Sequence, residues 1–350
     1  MTERFAEATG TSLVGGTESR ATGSILALFL PIAVVGALLA LVPLWLSDSR
    51  VLMTVAILGL GFAGYTIGFN LIFGSTGQLF LCVGALAGIG GYAGAIFADT
   101  VGLPIPIAIL LATLASSIVG GLLSWVAVSR SLGVIFTGII TLIFSLAFEN
   151  LLLGLRDLTG GENGFLIESG RDSVLTGRVS AYYLMLTLVL VFLVVHGLLR
   201  RSHIGWAFRA LRDDEVAAEL AGIHVARYRV YAALIGAAML GMIGALYGFT
   251  QGRVSPTTYQ FAEVDVVVVV MLAFGGIGSL LGPILGAVTF TAINEFLSGF
   301  GHFRLVPYGA LVVILFLWIP RGVIPTLRTL FSRRRYRQAR GRPGAKRPAP

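Results

Sequence analysis

The chain has 350 residues, of which 56% are apolar and 12% charged, and it carries a net charge of +8. Of its 25 basic residues, 24 are arginine; in so apolar a chain such charge sets membrane topology, so nucleic-acid binding is not the expected role. One cysteine, Cys82, excludes an internal disulfide, and the histidines at 196, 203, 224 and 302 never pair at metal-ligand spacing.

Residues 1–23 form a polar, Gly/Ser/Thr-rich leader expected to be disordered and cytosolic. The first apolar run starts near Ser24 and is too long for a signal-peptide core, so it reads as a retained span. Apolar runs follow at 24–46, 51–73, 80–98, 105–128, 134–153, 181–199, 230–250, 263–280, 282–297 and 307–320. These predict an all-α, polytopic helical membrane protein of about ten spans (eight to ten), with a transmembrane domain over 24–320. The third, eighth, ninth and tenth runs are short or interrupted by glycine and proline, which predicts broken helices.

With ten spans both termini share a side. That side collects nineteen basic residues: Arg4, Arg20, Arg130, six arginines in 200–229 and the ten from Arg321 onward. The other side holds six, so the nineteen are expected in the cytosol and residues 154–180 outside. Residues 321–350 are a basic, Pro/Gly-rich tail expected to lie near anionic lipid.

Two stretches interrupt the apolar pattern with polar groups. Residues 70–78, NLIFGSTGQ, precede the Gly-rich 84–95; residues 251–265, QGRVSPTTYQFAEVD, precede the Gly-rich run 273–287. This echo, one copy per half, predicts either a pathway built from broken helices or a pair of plain hairpin loops. On the first reading Asn70, Gly74, Ser75, Thr76, Gly77, Gln78 and Gly88 line the translocation pathway. Glu149, Asn150, Asn294 and Glu295 add polar groups near span ends. The 46 glycines concentrate inside apolar runs, and those four residues apart, as at Gly64/Gly68 and Gly244/Gly248, are expected to pack helices closely. Gly59, Gly61 and Gly64 match a dinucleotide fingerprint, but no strand precedes them and the match is set aside.

Residues 200–229 lie between two spans. Asp213, Asp214 and Glu215 suit a helix start, Val216, Leu220 and Ile223 share a side, and Gly222 suits a stop. A helix this short needs something to pack on. It is either a surface loop helix or a docking helix for a cytosolic partner. The only lysine, Lys346, lies in the tail, so no P-loop exists and any ATP-driven work needs another polypeptide.

Four segments then carry a resemblance: the run from Gly68 to Ala95, LTGGENGF at 158–165, the run from Gly205 to Gly248, and FGGIGSLLGPILGA at 274–287. Their order over about 55–320 resembles the branched-chain amino acid ABC transporter permeases of the LivM/LivH type, LivM more closely. The resemblance implies a bacterial inner-membrane, multi-pass permease subunit of a binding-protein-dependent importer, not an enzyme. The implied partners are a second LivH-type permease, two cytosolic ATPases, a periplasmic solute-binding protein, a small-molecule solute and membrane lipid. This chain would hold no cofactor or metal; ATP-Mg would bind the ATPases. It implies that Arg212, Asp213, Asp214, Glu215, Ala217, Ala218 and Gly222 couple to an ATPase, although the Leu-Pro of the wider motif is absent. It also implies that Thr159, Gly160, Gly161, Asn163 and Gly164 touch the binding protein. Branched-chain amino acids are the family default; urea, short-chain amides or another small organic solute are alternatives, as is a stand-alone carrier or channel.

Overall fold

A computed structural model describes residues 29–46, 49–168 and 177–298, with isolated positions between 309 and 326. The leader, the tail from 327 and most of the tenth run fall outside the described residues. The helices are α1 (Phe29–Trp45), α2 (Arg50–Phe69), α3 (Val83–Asp99), α4 (Ile105–Ser129), α5 (Val134–Gly154), α6 (Arg178–Arg201), α7 (His203–Asp213), α8 (Glu215–Leu220), α9 (Val225–Gln251), α10 (Asp265–Gly275) and α11 (Gly282–Ser298). Among the described residues, five segments are long and apolar enough to cross a bilayer: Arg50–Gly74, Ile105–Ser129, Val134–Gly154, Arg178–Arg201 and Val225–Gln251. The protein is an all-α polytopic membrane bundle.

Helix α9 is the axis of the bundle, packed on α2, α3, α4 and α6. Its glycines allow this. A Cβ on Gly244 would lie 2.0 Å from the Ala87 carbonyl oxygen of α3, and one on Gly90 the same distance from that of Gly241. Without a solvent-driven hydrophobic effect between helices in lipid, such close backbone contact supplies the dispersion that holds them.

Two elements depart from regular spans. Helix α2 widens over Asn70–Gly74 into a π-turn, a form found mostly at functional sites. The chain then runs without helix through residues 77–82 before α3 starts at Val83. The run 263–280 is not a full span: α10 ends at Gly275 after 11 residues, about 16 Å, roughly half a hydrocarbon layer. Gly276 and Gly278, both at positive φ, then turn the chain into α11. The break falls at the glycines of a run for which the sequence predicted a broken helix.

The segment α7–α8 closes one end of the bundle, here termed the lower end. At the upper end residues 154–168 clasp the turn after α9: Phe165 pairs with Val254 and Leu166 with Arg253 in a two-stranded ladder.

Candidate functional site

Helix α5 carries the clearest polar seam. Thr137, Thr141 and Ser145 recur every four residues, so all three lie on one face. That face is buried (Thr137, Thr141 and Ser145 are each at most 2% exposed), whereas Ile135, Phe136 and Ile143 on the other side are open. The inversion is meaningful: a helix that hides hydroxyls and shows isoleucines faces lipid or another apolar surface outside and a polar route inside. The seam's partners come from residues just past the first polar stretch of the echo and from within the second. Leu81 N–H donates to Thr141 Oγ1 at 2.9 Å, and Gln260 Nε2 donates to Glu149 Oε1 at 2.6 Å. At its lower end Gln78, Thr137 and Arg229 line a cleft too narrow to admit water, and Ser124 donates to Gln78 Oε1 at 3.0 Å. The hydroxyl spacing of α5 was readable in the sequence and was missed, because each hydroxyl sits alone among apolar neighbours.

Asp265 stands at the centre of the seam with no exposed surface. It is the first residue of α10, and its carboxylate accepts the free N–H groups that open α3: Val83 N–H to Oδ1, and Gly84 N–H to Oδ2 at 3.2 Å. Ser145 Oγ of α5 donates to Oδ2 at 3.4 Å. Two helices shorter than a full span, here called half-helices, thus begin at one carboxylate. Their positive ends would repel and leave donors unpaired in a dry interior; the carboxylate answers both needs. Tyr259, just before α10, lies across the glycine face of α3: a Cβ on Gly84 would meet its carbonyl oxygen at 2.4 Å.

The residues predicted to line a pathway divide into two groups. Gln78 belongs to the seam, and Gly77 borders open space, with no atom within 4 Å of where its Cβ would be. Gly88 packs on Phe148, which a Cβ would approach to 2.7 Å. Ser75 is half-buried, and Thr76 is buried with its hydroxyl bonded to the Ile72 carbonyl at 2.7 Å. Asn70 and Gly74 belong to a junction between two turns. Asn70 is wholly buried; its Nδ2 donates to the Ser279 carbonyl at 2.9 Å and its Oδ1 accepts Gly278 N–H at 2.8 Å. It ties the π-turn to the α10–α11 turn, so the first polar stretch touches the second glycine-rich run.

The 200–229 segment folds much as its residues suggest. Asp214 caps α8, its Oδ1 accepting Ala217 N–H at 3.0 Å, and Gly222 follows α8 at φ 84°. Ala218 is buried against Leu211 and Val225, while Asp213, Ala217, Val216 and Leu220 face outward, Leu220 being 85% exposed. Glu215 forms a bidentate pair with Arg229 of α9, both N–O distances 2.8 Å. Arg212 Nη1 donates to the Gly74 carbonyl at 2.6 Å. Helix α7, whose first turn Ser202 caps, was not foreseen as a separate element.

At the upper end Thr159 is buried, its hydroxyl pinning the Leu152 and Leu155 carbonyls, and Gly161 is buried beside it. Gly160 and Asn163 are exposed and Gly164 half-buried against Val254. Arg253 holds this cap by donating to the Asn163 carbonyl at 2.8 Å. Among the described residues no three His, Cys, Asp or Glu side chains converge to hold a metal.

Residues 50–319 match the family described as the permease component of the branched-chain amino acid transport system. The chain belongs to this family. The matched region runs from the start of α2 past α11 and so contains the seam, the two half-helices and the α7–α8 segment. The chain is 33% identical to the high-affinity branched-chain amino acid transport permease LivM of Salmonella typhimurium, covering 75% of this chain and 67% of that one. Identity to LivM of Escherichia coli is 31%, covering 83% and 74%. LivH of Salmonella typhimurium is 25% identical over 76% of this chain and 92% of its own. No solved structure matches. The family is a transport family, and its permeases are multi-pass membrane proteins.

Proposed function

We propose that this chain is the membrane-spanning permease subunit of a binding-protein-dependent ABC importer for branched-chain amino acids in a bacterial inner membrane. It contributes half of the translocation pathway beside a second, LivH-type permease. Two cytosolic ATPases bind ATP-Mg, and a periplasmic protein delivers the solute. The bundle has about ten spans with both termini in the cytosol.

The observation that carries this reading is the lower-end segment. Helix α8 shows Val216 and Leu220 to the outside, while Glu215 of α8 and Arg212 of the adjoining α7 are bonded into the membrane bundle. An exposed apolar turn of six residues has no reason to persist unless something covers it. An ATPase seated there would have a firm grip on the bundle, as a motor requires. The upper cap offers Gly160 and Asn163 to the binding protein.

In the transport step, ATP-driven movement of α8 reaches α9 through the Glu215–Arg229 pair. The seam between α5 and residues 78–81, closed in this structure, opens, and a zwitterionic solute passes along Thr137, Thr141, Ser145 and Glu149. These hydroxyl and carboxylate groups replace its lost water one turn at a time. The experiment is to purify the chain with its partner subunits, identify the ligand of the partner binding protein, and measure ATP-dependent uptake in vesicles. Uptake of leucine, isoleucine or valine supports the reading. Uptake that collapses with a proton uncoupler while ATP is maintained would identify a stand-alone carrier instead.

A further inference from the structure

The lower end of the bundle holds a junction in which three distant parts of the chain meet. The π-turn of α2 brings Gly74; the α10–α11 turn brings Gly278; the α7–α8 segment brings Arg212. The contacts leave no slack. A Cβ on Gly278 would lie 2.1 Å from Arg212 Nη1 and 2.9 Å from the Gly74 carbonyl oxygen. A Cβ on Gly74 would lie 2.0 Å from Asn70 Oδ1 and 2.9 Å from Gly278 N. Arg212 donates to Gly74, and Asn70 bonds both Gly278 and Ser279. Gly322, beyond the last apolar run, packs on the same turn, where a Cβ would come within 2.7 Å of Gly276 Cα.

We propose that Arg212 is a relay rather than a docking contact: it passes movement of the α7–α8 segment to both glycine turns at once, and Asn70 makes the two turns move as one body. The chemistry suits the task. A guanidinium is planar, always charged and able to keep a charge-assisted bond to a carbonyl while pressed against a backbone. The π-turn leads through residues 75–82 into α3, and the α10–α11 turn ends α10, so displacing the two turns together shifts both helices that meet at Asp265. Gly278 has to be glycine both for its φ of 75° and for the space Arg212 occupies. This inference rests on the importer reading above and adds the route by which the stroke enters the membrane.

The test uses the complete importer in vesicles, with four variants: Gly278→Ala, Arg212→Ala, Arg212→Lys and the Gly278→Ala/Arg212→Ala double variant. Gly278→Ala pushes out the flexible end of Arg212 and leaves the outward face of α8 untouched. It is expected to reduce uptake about tenfold while the ATPases stay bound and hydrolyse ATP without transport. The double variant is expected to be no worse than either single one, because both break the same link. Arg212→Lys, which keeps one donor, is expected to transport better than Arg212→Ala. Thermal unfolding of each purified complex separates lost coupling from lost folding. Normal uptake by a folded Gly278→Ala complex would overturn the relay, as would multiplying effects in the double variant. Loss of the ATPases from Arg212→Ala alone would make Arg212 a docking contact and would also overturn it. Absence of ATPases from the unmodified complex would instead remove the importer reading itself.

Discussion

Replacing Asp265 by alanine removes the acceptor shared by Val83 N–H, Gly84 N–H and Ser145 Oγ. Both backbone donors are buried, and α3 has no side-chain cap of its own at Cys82. A buried donor left unpaired costs about 1–3 kcal/mol, so the two N–H groups alone amount to about 2–6 kcal/mol. A native domain has only about 5–15 kcal/mol in hand, so this change threatens the fold. Asparagine keeps the shape and one acceptor oxygen but turns an NH2 toward the second donor, so it should cost roughly half as much. The assay is thermal unfolding of the detergent-purified protein, followed by uptake with the assembled importer at a temperature where every variant is folded. The expected order of stability is Asp, then Asn, then Ala, with uptake impaired in both variants. Equal melting temperatures for all three would refute the idea that this carboxylate joins the two half-helices.

Glu215→Ala leaves the Arg229 guanidinium, whose side chain is only 10% exposed, without its carboxylate. Uptake and ATPase coupling should fall while the protein stays folded, and the comparison of uptake with unfolding temperature checks this. Ser145→Leu fills the seam beside Asp265 and should abolish uptake, whereas Ser145→Ala, which loses one weak bond at 3.4 Å, should retain most of it; transport assays on the pair separate blockage from bonding. Gly244→Leu places a side chain against the Ala87 carbonyl, 2.0 Å from its Cβ, where backbone on both sides cannot give way. That variant should not yield a monodisperse, folded protein in size-exclusion chromatography.

Much of the fold was legible because lipid imposes simple rules. Apolar runs had to be helices, and arginine clustering separated the 200–229 end from the 154–168 end, which the structure finds at opposite ends of the bundle. The cap of α8 at Asp214 and its stop at Gly222 were legible because helix ends leave donors and acceptors that only certain residues satisfy. The partners of these groups were not. Nothing local in NLIFGSTGQ says that Asn70 reaches Ser279, 209 positions away, so its clamping of two turns was not legible. Asp265 was grouped with a polar loop because its acceptor role depends on Val83 and Gly84, 182 and 181 positions away. The cap at residues 159–164 likewise acquires its shape from Arg253 and Val254, which the sequence places in the polar stretch 251–265 with no sign of this partner.

The central claim is that the bundle is moved by a motor holding the α7–α8 segment, which must therefore face the cytosol. A cysteine introduced at Ala217, on the exposed side of α8, tests this against a low background, since the native Cys82 is buried. A membrane-impermeant thiol reagent should leave it unlabelled in intact cells and label it in inverted vesicles, with the label blocked when the ATPase is bound. Labelling at position 217 in intact cells would place the segment on the wrong side of the membrane and contradict the mechanism.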